Sequence, residues 1–209
     1  MGAGKGYLTF ALYDHLVSTM KWQGQVTGVE FRADLVKLCN DTAKASGFAG
    51  LNFIEGSIDS YDCSGADVVI ALHACDTATD DAIAKAVKAN AALIVVAPCC
   101  HKQIRREIEK SGRASKDNPL QFLMQYGTYV ERVAEMVTDG MRAELMELSG
   151  YKVNLFEFIS DTHTPKNVMI TAVRQAVSDK RAQALRASMD ATKAQFGIGR
   201  HALETALAD

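Results

Sequence analysis

The sequence predicts a doubly wound α/β fold with a mostly parallel sheet, and three observations support that prediction. Short β-rich runs alternate with helical segments of about 10–15 residues through the first two thirds of the chain, which is typical of βαβ units. The run ALIVVA over 92–97 is continuously apolar, as expected for a parallel strand buried on both faces. A length of 209 residues fits one domain of this kind, or one domain with an extension.

The composition points to a globular, cytoplasmic protein. Hydrophobic residues make up 48% of the chain and charged residues 23%, which argues against disorder, and the formal net charge is only −2. No apolar run approaches the roughly 18 residues of a membrane span, and no signal peptide is recognisable. Five cysteines at irregular spacing predict reduced thiols rather than a disulfide framework.

The first half of the chain yields seven elements, taken in order. A helix is predicted over 7–21 because Leu8, Leu12, Leu16 and Met20 form a stripe at helical spacing. β-rich runs predict strands, and periodic segments between them predict helices, one of which ends at Gly47. The predicted strands span 26–31, 51–54, 67–72 and 92–97, and the predicted helices 33–46 and 79–89.

The second half changes character. A basic helix is predicted over 101–110 and a polar loop over 111–118, after which Pro119, with Asn118 as N-cap, begins a largely helical stretch to Leu148. Within that stretch we expect the side chains of Tyr126, Tyr129 and Met136 in the core. Two strands, over 151–160 and 167–173, precede an Ala-rich helical tail that is broken near Gly197 and Gly199. We therefore expect a main domain over 1–173 and a helical extension over 174–209.

A glycine-rich loop opens the chain, as Gly2-Ala3-Gly4-Lys5-Gly6, directly ahead of a predicted helix. Glycine lets the backbone approach a ligand closely, and a helix start offers unpaired N–H groups. The phosphate-binding pattern G-x-x-x-x-G-K-[ST] is absent, and Tyr7 stands where the dinucleotide pattern G-x-G-x-x-G needs its last glycine. The remaining G-x-G-x-G suits a nucleoside cofactor without a pyrophosphate.

Acidic residues follow the next two predicted strands. Glu30 lies near the end of the first of them, where a carboxylate can accept hydrogen bonds from both hydroxyls of a ribose. Ser57-Ile58-Asp59 follows the second, where an acid and an apolar residue can flank an adenine. The alternatives are a surface carboxylate at a strand end for Glu30 and an ordinary cap or turn residue for Asp59.

Five segments resemble class I S-adenosylmethionine-dependent methyltransferases, in this order: MGAGKGYLTFAL, GVEFR, GSID, VIALHACD and APCCHK. More narrowly, LHACD followed by PCCHK is similar to the branch marked by a Pro-Cys-Cys-His element after the fifth strand. GMRAELMELSGY and HTPKN are also similar to that branch, so the resemblance covers about residues 1–173. It implies a Rossmann-like sheet of seven strands, one of them antiparallel, and methyl transfer from S-adenosylmethionine.

The resemblance also implies a cofactor site and an expectation about the start of the chain. In this fold the glycine loop follows the first strand of the sheet, and no residues precede Met1 to form that strand. We therefore expect the first strand to be missing and the chain to be N-terminally incomplete. The residues expected to hold S-adenosylmethionine are Gly2, Ala3, Gly4, Gly6, Glu30, Phe31, Ser57, Ile58, Asp59 and Leu72.

Six polar or thiol side chains follow two strands that should be neighbours: His73, Cys75, Asp76, Cys99, Cys100 and His101. Ligands of open α/β sheets bind at this edge, which favours an active site with His73, Asp76 and His101 as the residues acting on the methyl acceptor. In a second interpretation the cysteines and a histidine bind zinc, but adjacent cysteines and the lack of C-x-x-C argue against it, so we predict no metal. In a third, Cys75 and Cys99 are small buried packing residues.

The segment 102–116 is basic, with six Lys or Arg against two Glu. It could hold the phosphates of an RNA, or be a solvated helix face with Arg105 and Glu109 paired at i, i+4. The Ala-rich tail is expected to pack or to mediate self-association. The first hypothesis is methyl transfer to RNA, since relatives of this branch include a tRNA ribose methyltransferase. A small-molecule or protein methyltransferase and a non-catalytic binding domain are the alternatives.

Overall fold

The computed structural model describes residues 1–72, 74–111, 118–160, 162–164 and 166–208. The chain forms two compact units, Met1–Asp62 and Cys63–Asp209. None of the helices in these described ranges is long and apolar enough to cross a bilayer.

The first unit is a small βα unit. Helix α1 spans Tyr7–Asp14 and continues as a π-helical turn over His15–Thr19. Strand β1 (Val26–Glu30), helix α2 (Ala33–Ala45) and strand β2 (Leu51–Glu55) follow. The two strands pair in parallel, so that Glu30 and Glu55 lie side by side at their carboxyl ends.

The core of the first unit corrects the predicted face of α1. The buried Tyr13, together with Phe10 and Val17, packs against residues of α2 and β2, whereas Leu8 and Met20 of the predicted stripe are exposed. The reason is aromatic packing, since the rings of Phe10 and Tyr13 both contact Phe48, with centroids 6.2 and 5.1 Å apart. Aromatic residues have more apolar area to bury than the leucines of the stripe.

The second unit contains a four-stranded sheet and six helices among its described residues. The sheet order is β3-β4-β6-β5; β3 and β4 are parallel, and β6 is antiparallel to both of its neighbours. The elements are β3 (Val68–Leu72), α3 (Thr77–Lys88), β4 (Leu93–Ala97), α4 (Lys102–Lys110), α5 (Gln121–Met124), α6 (Gly127–Leu148), β5 (Tyr151–Glu157), β6 (Val168–Arg174), α7 (Asp179–Phe196) and α8 (Ala202–Ala208).

These elements confirm the α/β fold class and the single antiparallel strand. The described residues form six strands, the number expected for a sheet of seven without its first strand, but these are divided between a two-stranded and a four-stranded sheet rather than joined in one. In β4, Ile94 and Val96 are fully buried, as the continuous apolar run predicts.

A second core cluster lies among the helices of the second unit. Ile104 and Ile108 of α4 pack with Met124, Val130 and further apolar residues of α6 and the tail, all of them buried. The prediction of Tyr126, Tyr129 and Met136 as core residues is wrong, because their side chains are 54%, 42% and 66% exposed. Helix α6 buries a different face, which includes Val133, Ala134 and Met141.

The tail belongs to the second unit. Ser178 caps α7 by accepting a hydrogen bond from the Arg181 N–H, and Gly197 ends the helix with φ +66°. Helix α7 contacts α6, and α8 contacts α3. The division between compact units therefore follows Asp62, and the tail from residue 174 packs as part of the larger unit.

Candidate functional site

The glycine loop of the first unit has the left-handed backbone that its sequence requires. Gly2, Gly4 and Gly6 have φ values of +70°, +58° and +74°. A Cβ at Gly6 would lie 3.0 Å from the ring of Phe53, so this glycine also allows close packing. At Gly2 and Gly4 a Cβ would meet no atom of the described residues within 4 Å, which leaves open space beside the loop for a ligand.

Glu30 holds the glycine loop in place. Its Oε2 accepts a hydrogen bond from the Gly4 N–H at 2.7 Å, and its Oε1 accepts one from the Arg32 N–H at 3.2 Å. The Ala3 N–H donates to the carbonyl of Val29 at 2.9 Å, which ties the loop to β1 as well. The structure therefore brings together the loop and the acid that the sequence selected.

This arrangement fits the ribose of a nucleoside cofactor. Each carboxylate oxygen has two acceptor sites, so Glu30, which already accepts from the Gly4 N–H, can still accept hydrogen bonds from ribose hydroxyls. A pyrophosphate cofactor is disfavoured by the sequence, in which Tyr7 stands where the dinucleotide pattern needs its last glycine.

The segment after β2 folds as a turn close to the end of β1. The Gly56 N–H donates to the carbonyl of Glu30 at 3.0 Å, and the hydroxyls of Ser57 and Ser60 lie 2.8 Å apart. Ile58 is half-buried, Asp59 interacts with another group of the protein, and Phe31 is 75% exposed. Their backbone positions fit the predicted role of flanking an adenine, which stays a prediction.

In the second unit, the ends of β3 and β4 bring the two polar loops together. Leu72 and Ala97 are register partners at the carboxyl ends of these parallel strands. Leu72 is half-buried there, and the predicted catalytic residue His73 lies outside the described residues. The loop with Cys75 and Asp76 therefore lies next to the loop with Cys99 and Cys100.

Asp76 has an unusual backbone that several contacts maintain. Its φ of +53° and ψ of −123° are rare for a residue with a side chain and cost about 1–3 kcal/mol. Its Oδ1 accepts from the Gln103 N–H at 2.9 Å, its Oδ2 from the Arg106 guanidinium at 3.1 Å, and its carbonyl from Arg142 at 3.0 Å. Strain that is maintained in this way clusters at functional sites, which supports Asp76 as a site residue.

His101 does not face solvent. It is 2% exposed, and its Nε2 lies 3.1 Å from Oδ1 of Asp139; because a carboxylate only accepts, this Nε2 carries the proton and donates. The sequence-based prediction that His101 acts on the acceptor gains no support from this position. The contact instead fixes the start of α4 against α6.

Asp139 belongs to a buried charged network that sequence reasoning missed. The Arg142 guanidinium, 1% exposed, donates to both oxygens of Asp80 at 2.8 and 2.9 Å and to Asp139 at 3.1 Å. Burial alone would lower the pKa of Arg142, but the hydrogen bonds and charges of Asp80 and Asp139 outweigh it and raise that pKa. The sequence signal that could have revealed the network is the spacing of Asp139 and Arg142, three residues apart within the apolar face of α6.

His201, the residue before α8, lies beside this network, with its Nδ1 3.9 Å from Oδ1 of Asp80. Its Nδ1 accepts a hydrogen bond from the Leu203 N–H at 3.1 Å, so the proton is on Nε2, which is buried and has no hydrogen-bond partner among the described residues. Burial lowers the pKa of His201, opposed by the negative charge of Asp80 and assisted by the positive charge of Arg142. The histidine is therefore neutral in the folded protein at pH 7.

Three cysteines meet at the sheet edge, as the expected pairing of the two strands that precede them predicts. The Sγ atoms of Cys75 and Cys99 lie 3.5 Å apart, those of Cys99 and Cys100 3.8 Å apart, and all three lie within 4.8 Å of one another. None forms a disulfide. Cys75 is exposed and the other two are half-buried, so the interpretation of Cys75 and Cys99 as buried packing residues is wrong.

The basic segment is a helix whose arginines are engaged. Arg105 pairs with Glu109 at 3.2 Å and also with Glu131, while Arg106 pairs with Asp76. Lys102 and Lys110 are exposed. Arg113 and Lys116, the remaining basic residues of the segment, lie outside the described residues.

Solved structures with the same fold include two methyltransferases. The methyltransferase domain of bacterial CtHen1-C is 16% identical, covers 84% of this chain and 87% of its own, and superposes with a TM-score of 0.52. The DszA carbon methyltransferase is 12% identical, with 85% and 46% covered and a TM-score of 0.50. These similarities support the Rossmann-like methyltransferase fold.

Among curated proteins, the glutathione S-transferase C-terminal domain-containing protein of Xenopus laevis is 26% identical over 186 residues, which cover 80% of this chain. The chain spans only 29% of that relative's length. A family model described as a methyltransferase domain matches residues 1–107, just over half of the chain and the part that contains the glycine loop and Glu30. The family is consistent with the predicted S-adenosylmethionine cofactor, while the Pro-Cys-Cys-His branch stays a prediction. The chain therefore belongs to the methyltransferase-domain family.

Proposed function

We propose that the protein transfers a methyl group from S-adenosylmethionine to RNA. The observation that carries the cofactor part is the hydrogen bond between the Gly4 N–H and the Glu30 carboxylate, 2.7 Å long. It joins a loop of left-handed glycines to the acid at the end of the next strand. The family match supports the reaction class.

Different residues of the first unit would bind different parts of the cofactor. The open space at Gly2 and Gly4 accommodates a ligand against the backbone, and Glu30 accepts hydrogen bonds from the ribose hydroxyls. Ile58 and Phe31 offer apolar surface for the adenine, and the negative charge of Glu30 favours a cation. When bound, S-adenosylmethionine supplies a methyl group on an already activated sulfonium.

Little further chemistry is then required from the protein. Alignment of the acceptor with the methyl group supplies most of the rate, so the residues at the acceptor position it and hold or remove its proton. The sequence motif makes Asp76 and His73 our candidates for this role, and the Asp76 carboxylate is fixed by Gln103 and Arg106.

The choice of RNA as acceptor rests on helix α4 and on the resemblance to the branch. Lys102 and Lys110 are exposed, and the helix contains four basic residues but only two acidic ones. Phosphate contacts give affinity that falls with salt. The pairing of Arg105 and Arg106 with carboxylates reduces the available charge, so we expect the lysines to dominate.

The cofactor part is tested by a matched pair of alanine variants of the full-length protein. Gly4→Ala and Gly47→Ala both place a Cβ at a positive φ with no atom of the described residues within 4 Å, so their folding penalties should be alike. Only Gly4 lies beside Glu30. We expect Gly4→Ala to lose transfer of labelled methyl from S-adenosylmethionine to total RNA, and Gly47→Ala to retain it. Equal losses would contradict the proposal.

The acceptor part is tested by the salt dependence of RNA binding. The double variant Lys102→Ala/Lys110→Ala should reduce the slope of log affinity against log salt by about 0.7 for each phosphate contact to single-stranded RNA that is lost. Lys180→Ala, at an exposed position of α7, is the control and should leave the slope unchanged. If the protein methylates proteins or small molecules but not RNA, the proposed acceptor is wrong and the proposed cofactor stands. RNA binding without any transfer would indicate a binding domain.

A further inference from the structure

We infer that Cys75, Cys99 and Cys100 form a binding site for a thiophilic metal ion of the Zn²⁺ class, with three thiolate ligands among the described residues. This replaces the sequence-based prediction of no metal, because the structure brings Cys75 next to the adjacent pair Cys99 and Cys100. The inference rests on the second unit alone. It goes beyond the proposed methyl transfer and does not depend on it.

The separations of the sulfur atoms fit one metal ion. Two thiolates on a tetrahedral zinc, each at about 2.3 Å, lie roughly 3.8 Å apart. The Sγ atoms of Cys75 and Cys99 are 3.5 Å apart and those of Cys99 and Cys100 are 3.8 Å apart, with the third separation within 4.8 Å. Small adjustments of side-chain torsions bring all three to the distances that a single ion requires. In a [4Fe–4S] cluster each thiolate binds a different iron, so the sulfur atoms lie farther apart than these.

The backbone that carries the thiols is already fixed. Next to Cys75, the Asp76 carboxylate and carbonyl accept hydrogen bonds from Gln103, Arg106 and Arg142. Next to Cys100, the buried His101 donates to Asp139 at 3.1 Å. Because the loops are held by charged contacts rather than by the cysteines, binding a metal requires little ordering of the backbone.

The exposure of the thiols also favours a metal over a packing role. Cysteine is among the most buried residue types when it acts only as a small apolar side chain. Here Cys75 is exposed, and Cys99 and Cys100 are half-buried, so a metal ion has access to the cluster. Soft thiolate ligands select zinc and related metals rather than Mg²⁺ or Ca²⁺.

Binding must displace protons from the thiols, because the thiolate is the form of cysteine that ligates a metal. Each coordinated cysteine loses one proton to the buffer as its sulfur binds the ion.

The test uses Co²⁺ as a spectroscopic probe on the reduced full-length protein under argon. We expect one equivalent of Co²⁺ to produce a thiolate-to-cobalt charge-transfer band and the intense visible bands of a tetrahedral site, both lost when Zn²⁺ is added. Cys75→Ser and Cys99→Ser should each weaken Co²⁺ binding by at least about 100-fold, the upper end of the effect of losing an outer partner of a metal ligand.

Cys63→Ser is the matched control, because Cys63 lies in the same unit but outside the cluster. It should bind Co²⁺ as the wild type does, and circular dichroism of every variant establishes that it is folded. Absence of the charge-transfer band, with all thiols shown to be reduced by a thiol titration, would overturn the site. Equal Co²⁺ binding by wild type, Cys75→Ser and Cys99→Ser would overturn it as well.

Discussion

The guanidinium of Arg142 donates two hydrogen bonds, of 2.8 and 2.9 Å, to the two carboxylate oxygens of Asp80 in the interior of the second unit. This pair joins α6 to α3, and the same guanidinium reaches the carbonyl of Asp76 at 3.0 Å. A network built for stability thus fixes the loop that presents Asp76 and Cys75. Its removal should affect both folding and the site.

Asp80→Asn should destabilise the protein by about 3–5 kcal/mol, because it leaves the buried Arg142 charge with less compensation. Urea unfolding followed by circular dichroism measures this loss. Asp190→Asn, at an exposed position of α7, is the control and should change the free energy of unfolding by less than about 0.5 kcal/mol. A loss as small as that of the control would show that the network contributes little.

The stability of the protein should fall as the pH drops below the ordinary histidine pKa of 6.5. Burial lowers the pKa of His201 in the folded state, so below that value the unfolded chain binds a proton that the native protein does not. The free energy of unfolding then decreases by up to about 1.4 kcal/mol for each pH unit from this group.

Urea unfolding at about pH 7.5 and about pH 5.5 measures the effect. His201→Asn removes the titrating group, so its free energy of unfolding should depend less on pH than that of the wild type. The charged groups that act on His201 are Asp80, Arg142, Glu204 and Glu107. An identical pH dependence in the two proteins would mean that His201 does not titrate as described.

Gly6→Ala should destabilise the first unit more than Gly47→Ala. Both positions have a positive φ, +74° and +71°, which costs an alanine about 1–2 kcal/mol. Only at Gly6 would the Cβ also crowd the buried ring of Phe53, at 3.0 Å, which adds an overpacking cost of about 1–3 kcal/mol. Thermal unfolding of the two variants gives the difference, and equal stabilities would show that the loop relaxes freely.

Local patterns made much of the fold predictable. The alternation of β-rich runs and helical segments locates every strand within a few residues, because this signal depends only on neighbouring residues. The buried face of α1 was not predictable in the same way, since the choice between Leu8 and Tyr13 depends on Phe48, which is distant in sequence. The division after Asp62 has no signal in composition either.

The candidate site was likewise predictable where the sequence signal is local and not where it depends on tertiary contacts. The glycine loop and Glu30 form a motif with ordered spacing, and the structure joins them through Gly4. The buried network of Asp80, Asp139 and Arg142 was missed because charged residues are expected at the surface unless a tertiary partner is known. The approach of Cys75 to Cys99 arises from the pairing of β3 with β4, which the strand pattern predicted, but the distance between their sulfur atoms depends on the loop backbone and is not readable from the sequence.

The central claim is that Glu30 and the glycine loop bind S-adenosylmethionine, and calorimetry with S-adenosylhomocysteine on the full-length protein tests it most directly. Glu30→Ala is compared with Glu55→Ala, which removes the register partner at the end of the neighbouring strand. We predict micromolar binding by the wild type and by Glu55→Ala, none by Glu30→Ala, and no binding of NAD by any of them. Failure of the wild type to bind, or equal binding by both variants, would contradict the account.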